Sequence, residues 1–244
     1  MHTVAFLTQK GGAGKTTLAS SLAAAAAGAG ESVIALDFDP QGSLTRWGKR
    51  RLTANAANRV AVEQFELARL ARLGAVLDRI ADAGFTLAVF DTAGADSEAV
   101  RMIAERADLC LLPSRPTLLD VESAAATFRA IYLAKRKAAF VLNQCPPTYR
   151  GNRANDAAKD LTRLGVLVEP MLSARIDFQD AIAAGLGVTE HAPQGRAAQE
   201  IEMLWNWVRN QLRSPVNEGA KRDARSSASL TDRLAAVARA SQLR

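Results

Sequence analysis

Cysteine is scarce in this chain of 244 residues: Cys110 and Cys145 are the only two, each in an apolar or Pro-flanked stretch with no C-x-x-C spacing and no neighbouring histidine. That pattern suggests neither a disulfide framework nor a thiolate metal site, and buried free thiols in a reducing compartment are expected. Also missing is any run of eighteen apolar residues, which excludes a hydropathy-defined transmembrane helix. The N-terminus enters an apolar strand directly, without a basic leader and a small-residue cleavage site, so a cytoplasmic protein is expected. There are no internal repeats.

What is present is enough apolar residue, 48% of the chain, to bury a substantial core. The length suits one α/β domain, expected over 1–213, followed by a basic tail at 214–244. From Ser214 to Ser229 the sequence is Ser, Arg, Lys, Asp, Gly and Pro with almost nothing to bury, which reads as a linker. Thr231 to Leu243 has the spacing of a short helix, with Leu230, Leu234 and Val237 on one side. A net charge of +6 favours an anionic partner such as nucleic acid or acidic lipid.

Thr3 to Thr8 is a β-branched and aromatic run that leads into a Gly-rich turn, and Thr16 to Ala27 reads as a helix stopped by Gly28 and Gly30. Ser32–Leu36 and Leu87–Phe90 read as buried strands ending in Asp37/Asp39 and in Asp91. Cys110–Pro113 and Ala138–Asn143 are further strands, separated by helices near Ser97–Ala107 and Val121–Ala134. The alternation predicts a doubly wound, mostly parallel sheet flanked by helices, with ligand residues gathered beyond the strands' carboxyl ends. After Asn155 come another helix, an apolar stretch at Val166–Leu172 and an amphipathic helix at Ala197–Arg213 carrying Leu204, Trp205 and Trp207.

Between the first strand and first helix lies Lys10-Gly11-Gly12-Ala13-Gly14-Lys15-Thr16-Thr17. The general phosphate-loop pattern, G-x-x-x-x-G-K-[ST], uses backbone N–H groups and a helix N-terminus to surround phosphates. Gly14, Lys15 and Thr16 satisfy its end, but Gln9 stands where its first glycine should be. On charge, Lys15 is placed for the β- and γ-phosphates, Thr16 for Mg²⁺, and the Gly11 to Thr17 amides for phosphate oxygens. The guanine-reading sequence Asn-Lys-x-Asp is absent, which favours ATP over GTP.

The motif Lys-Gly-Gly-x-Gly-Lys-Thr-Thr resembles the deviant phosphate loop of the ParA/MinD family at every defined position. Similarity continues through Ala35-Leu-Asp-Phe-Asp-Pro-Gln-Gly-Ser43 and Val89-Phe-Asp-Thr-Ala-Gly94, and covers roughly 1–213. This resemblance implies a P-loop ATPase that forms an ATP-dependent sandwich homodimer, with Lys10 reaching the partner's nucleotide. It makes Asp39 the group that positions the attacking water, with Lys10 and Lys15 beside it in catalysis. Asp37 and Asp91 then organise Mg²⁺ through its water shell, Asn143 hydrogen-bonds adenine and Pro193 flanks the base.

The family's reductases need cluster-binding cysteines near the dimer axis, whereas Cys110 and Cys145 fall on predicted strands, and its metal pumps usually link two ATPase halves. DNA and membrane remain as competing partners. The alanine-padded tail offers little apolar area for a membrane, so MinD-like anchoring is the less favoured alternative. Nonspecific DNA binding requires only cations on phosphates, and Arg150, Arg153, Arg175 and Arg196 are the candidates, with Arg46 to Arg51 a further basic stretch for DNA or a partner. Pro116-Thr-Leu-Leu-Asp120 is similar to the short ParA type, which implies plasmid or chromosome partition, a ParB-like activating partner and nucleoid association. Leu44-Thr-Arg-Trp47 and Leu118-Leu-Asp120 also resemble ATPases of conjugative DNA transfer, which stands as an alternative.

Overall fold

The computed structural model describes residues 1–54, 56, 60–94, 97–146 and 152–214. Seven parallel strands form its centre: β1 (His2–Phe6), β2 (Val33–Asp37), β3 (Val60–Gln64), β4 (Leu87–Asp91), β5 (Leu109–Ser114), β6 (Ala138–Leu142) and β7 (Val166–Leu167). Their order is β3-β2-β4-β1-β5-β6-β7, every neighbouring pair parallel. The chain leaves β1 toward one edge of the sheet and crosses back after β4 to build the other. A crevice therefore opens at the carboxyl end of β1, where the connections diverge.

Strand residues alternate between two cores. Ala5, Ala88, Phe90, Cys110, Leu112 and Phe140 point into one core, whereas Val4, Phe6, Val89, Leu109, Leu111 and Val141 point into the other. This period of two, with apolar side chains on both faces, is why the strands read as unbroken hydrophobic runs. On the first face pack α3 (Leu73–Asp82), α4 (Ser97–Arg106), α5 (Leu118–Leu133) and α6 (Arg153–Leu164). On the second lie α1 (Lys15–Gly28), α7 (Asp177–Ala183), α8 (Val188–His191) and α9 (Arg196–Arg213). In α9, Leu204 and Trp205 are buried in this layer, while Trp207 is partly buried against it.

The basic stretch at Arg46–Arg51 is divided: Arg46 and Lys49 are exposed, whereas Arg50 and Arg51 turn inward. It lies in a helix, α2 (Ser43–Thr53), whose Trp47 is fully buried with Leu44 against Ala35 of β2. The Trp47 indole donates to the Leu186 carbonyl at 3.1 Å, and Arg50 Nε donates to the Ile182 carbonyl at 3.1 Å. Arg51 forms a two-pronged ion pair with Glu190, both contacts at 2.7 Å, and lies 5.2 Å from the Trp47 ring centroid. Glu190 also accepts the Gly187 N–H at 2.9 Å, so one carboxylate joins α2 to the start of α8. Cys145, expected on a strand, sits just beyond β6 in an isolated bridge to Ser173.

Apart from Ser214, the expected tail lies outside the described residues, as does Arg150. Among the described residues, no helix is long and apolar enough to cross a membrane.

Removing one partner of a buried ion pair leaves the other charge without compensation, at a cost of about 3–5 kcal/mol. Arg51→Ala is therefore expected to lower unfolding stability by about 3 kcal/mol. Denaturant titration checks this, and a loss under about 1 kcal/mol would place Arg51 among ordinary surface ion pairs.

Candidate functional site

After β1 the chain turns through Gln9–Gly14 and enters α1 at Lys15. Gly14 adopts φ of +94°, a left-handed conformation that disfavours other residues. A Cβ there would also lie 2.4 Å from Asn143 Nδ2. Helix α1 has no side-chain cap and no acidic residue in its first turn, so its N-terminal amides and positive dipole end are left for an external anion. Gly11 and Gly12 are exposed above them, and Ala13 is buried.

The loop is held from outside by residues of β6's end. Asn143 Nδ2 donates to the Ala13 carbonyl and Gln144 Nε2 to the Gly12 carbonyl, both at 2.9 Å. Lys15 Nζ donates back to the Lys10 carbonyl at 3.4 Å, closing the loop on itself. On the β4 side, a Cβ on Gly94 would stand 3.2 Å from the Gln9 carbonyl oxygen and 3.4 Å from the Gly11 nitrogen. The segment after Asp91 can lie this close to the loop because residue 94 has no side chain. Thr92 fastens it by donating its hydroxyl to the Phe6 carbonyl at 2.8 Å.

Charge is concentrated beneath the loop. Lys15 is buried, which pushes its pKa below 10.5 against the opposing pull of Asp91 and Asp39. Asp91 is fully buried, and burial foremost raises its pKa from 3.8 to about 7. The Thr16 hydroxyl and Lys15 favour its charged form, while Asp37 and Asp39 oppose it. Thr16 acts from nearby without regular hydrogen-bond geometry, and neither Asp91 oxygen has a hydrogen-bond partner. Buried oxygens in that condition suit a cation.

Asp37 differs from Asp91. Its Oδ1 accepts the Asp39 N–H at 3.1 Å, and its Oδ2 accepts the Thr45 N–H and hydroxyl at 2.8 and 3.0 Å. It thereby fixes the turn that carries Asp39 and the first turn of α2. Asp39 is partly exposed, with Oδ1 accepting the Gln41 N–H at 2.9 Å. Lys10 is half-buried, and its N–H donates to the Thr8 hydroxyl at 3.3 Å.

A family profile described as the VirC1 protein matches residues 1–197. The chain belongs to the VirC1 family. Within the VirC1 family it is 33% identical over 177 residues to protein virC1 of Rhizobium rhizogenes, covering 70% of this chain and 76% of that protein. It is 32% identical over 212 residues to the maintenance of carboxysome distribution protein A of Gloeobacter kilaueensis, covering 86% and 93%. A McdA variant of Cyanothece, solved in complex with ATP, superposes with a TM-score of 0.69 at 17% identity, covering 87% of this chain and 96% of that one. The VirC1 family chain is thus a ParA/MinD-type ATPase-family protein with the expected phosphate-loop fold. ATP and Mg²⁺ are the cofactors that its uncapped helix, Lys15, Thr16 and Asp91 fit.

Other expected residues lie farther out. Asn143 is buried against the loop, its amide nitrogen engaged with the Ala13 carbonyl. Pro193 is exposed in the connection between α8 and α9, and no described hydrogen bond joins it to the loop. Arg153 and Arg196 are exposed at the first residues of α6 and α9. Arg175 is instead drawn inward, paired with Glu200 at 2.9 Å and donating to the Ser173 hydroxyl at 3.2 Å. Sequence reasoning passed over Gln144 and Arg115. Gln144 follows the named asparagine directly, a sequence signal for a second strut. Arg115 follows β5, and its Nη1 would lie 3.7 Å from a Cβ on Gly12.

Because the folded chain holds a proton on Asp91 up to about pH 7 while an unfolded aspartate releases it near 3.8, the native state binds more protons between those values. The stability of the nucleotide-free, chelator-treated chain should fall across that window as pH rises. Asp91→Asn should flatten the fall, so that the difference in stability between wild type and variant changes continuously from about pH 4 to about pH 7 and not above about pH 8, as thermal melts across that range would show. Parallel pH dependences in the two proteins would contradict the buried-carboxylate assignment.

Proposed function

We propose that this chain is a Mg²⁺-dependent ATPase that dimerises around ATP, binds DNA nonspecifically as the dimer, and releases it after hydrolysis to drive partition or positioning of a cargo. The carrying observation is the pairing of an uncapped helix N-terminus with Lys15 and Asp91, two buried opposite charges that an anion and a cation together would satisfy. Thr16 and Asp91 would hold Mg²⁺, with Asp37 setting the turn behind them, and the ion would neutralise charge on the terminal phosphates.

The Asp39 side chain is partly exposed and its carboxylate accepts only one described backbone hydrogen bond, which suits a carboxylate that positions water. The half-buried Lys10 stands at the loop's entrance, where a second copy would approach. Relatives named for carboxysome distribution, together with a ParA protein of Rhizobium radiobacter, support a cargo-positioning role. The net charge of +6 and the exposed Arg153 and Arg196 support a polyanion as the surface on which it works. A ParB-like activator and nucleoid association belong to the same reading, as does a catalytic unit spanning 1–213. Conjugative transfer is the second reading, supported by Leu44-Thr-Arg-Trp47 and Leu118-Leu-Asp120.

Lys15→Ala should abolish ATP binding, whereas Asp39→Ala should bind ATP nearly as wild type while slowing hydrolysis by about a hundredfold. In gel shifts on DNA of arbitrary sequence, wild type and Asp39→Ala should retard DNA with ATP present, and Lys15→Ala should not. Retardation indifferent to nucleotide, or equal loss of ATP affinity in both variants, would overturn this assignment.

A further inference from the structure

We infer that Arg115 is a second phosphate-binding cation of the site, a side chain held in place by Asp120 to contact the terminal phosphate and so to distinguish ATP from ADP. The inference rests on the ATP reading above and adds to it a residue outside the loop.

Arg115 follows the last residue of β5, the strand hydrogen-bonded to β1 on the side away from β4. Its backbone therefore emerges beside the phosphate loop, across the crevice from Asp91. The side chain is fixed at one edge: Nε donates to Asp120 Oδ1 at 3.0 Å. Asp120 is itself fixed, with 3% exposure, an Oδ2 that accepts the Thr117 hydroxyl, and a backbone N–H that donates to the Thr117 oxygen at the start of α5. With Nε engaged, the guanidinium turns Nη1 toward Gly12, to within 3.7 Å of where a Cβ on that residue would lie. A third of the side chain remains exposed, so the outer edge of the fork is open to a ligand.

Helix-stabilising contacts alone do not require this arrangement. Thr117 already closes the first turn of α5 with Asp120, and the Arg115 contact compensates the buried Asp120 charge through Nε alone, leaving the rest of the fork uncommitted to the cap. What the pairing does is hold a planar donor over exposed, positive-φ Gly12, three residues ahead of the first residue of α1. The amides at the helix start suit the inner phosphate, and a group beside Gly12 faces the outer one. A guanidinium binds phosphate through two parallel hydrogen bonds, and its hold on a terminal phosphate vanishes when that group leaves. Lys15, placed for both the inner and the outer phosphate, would bring no such selectivity.

The test uses the full chain and fluorescent mant-ATP and mant-ADP, with affinities measured by anisotropy in Mg²⁺ for wild type, Arg115→Ala and Arg115→Lys. Arg115→Ala is expected to weaken ATP about tenfold and leave ADP within about twofold, narrowing the ATP-to-ADP ratio. Arg115→Lys, which keeps charge but not the fork, should fall between. An unchanged ratio in Arg115→Ala, or equal weakening of both nucleotides, would overturn the inference and leave Arg115 a scaffold residue. Failure of wild type to bind either nucleotide would instead remove the ATP reading itself, and this inference with it.

Discussion

The structure is organised around an electrostatic tension: Lys15 and Asp91 are both buried at the end of the central strand pair, and burial pushes each toward its neutral form. Their mutual attraction offsets only part of that desolvation. A phosphate anion over α1 and a cation beside Asp91 would restore full charge to both. The same residues that make the empty site costly thus make the filled site favourable, which couples ligand binding to stability.

The sheet makes the tension possible. Register aligns the ends of β1, β4 and β2, with Phe6 and Asp37 on either side of Asp91, so β2 and β4 deliver their carboxylates beside the loop that follows β1. Cores on both faces keep water from the strands below it. Struts from Asn143, Gln144 and Thr92 then fix the backbone around the loop, and the turn bearing Asp39 is set by Asp37. Movement of the segment at Gly94, packed against Gln9 and Gly11, would be felt at once by the phosphate loop.

Much of this was legible in the sequence because it follows short-range rules. Strands β1, β2, β4, β5 and β6 announced themselves as apolar runs, and Lys10 to Thr17 as a strand-turn-helix phosphate loop. Elements with weaker patterns were missed. Strand β3 is an edge strand, half-exposed, ending in Glu63 and Gln64, and α3 lacks a cap signal. Helix α2 was hidden by its charge: a run of Arg and Lys reads as solvated surface until Trp47 and the distant Glu190 are seen to give Arg50 and Arg51 internal partners. The ion pair of Arg175 was equally invisible, since Glu200 lies 25 residues away. Long-range ion pairing leaves no local trace, and neither did the approach of Arg115 to Gly12.

The central claim is that ATP completes a site shared by two copies of the chain. Sedimentation equilibrium of the full chain with no nucleotide, with MgADP and with a nonhydrolysable Mg-ATP analogue tests it most directly. The account predicts a monomer in the first two conditions and a dimer in the third. The same mass in all three would contradict it.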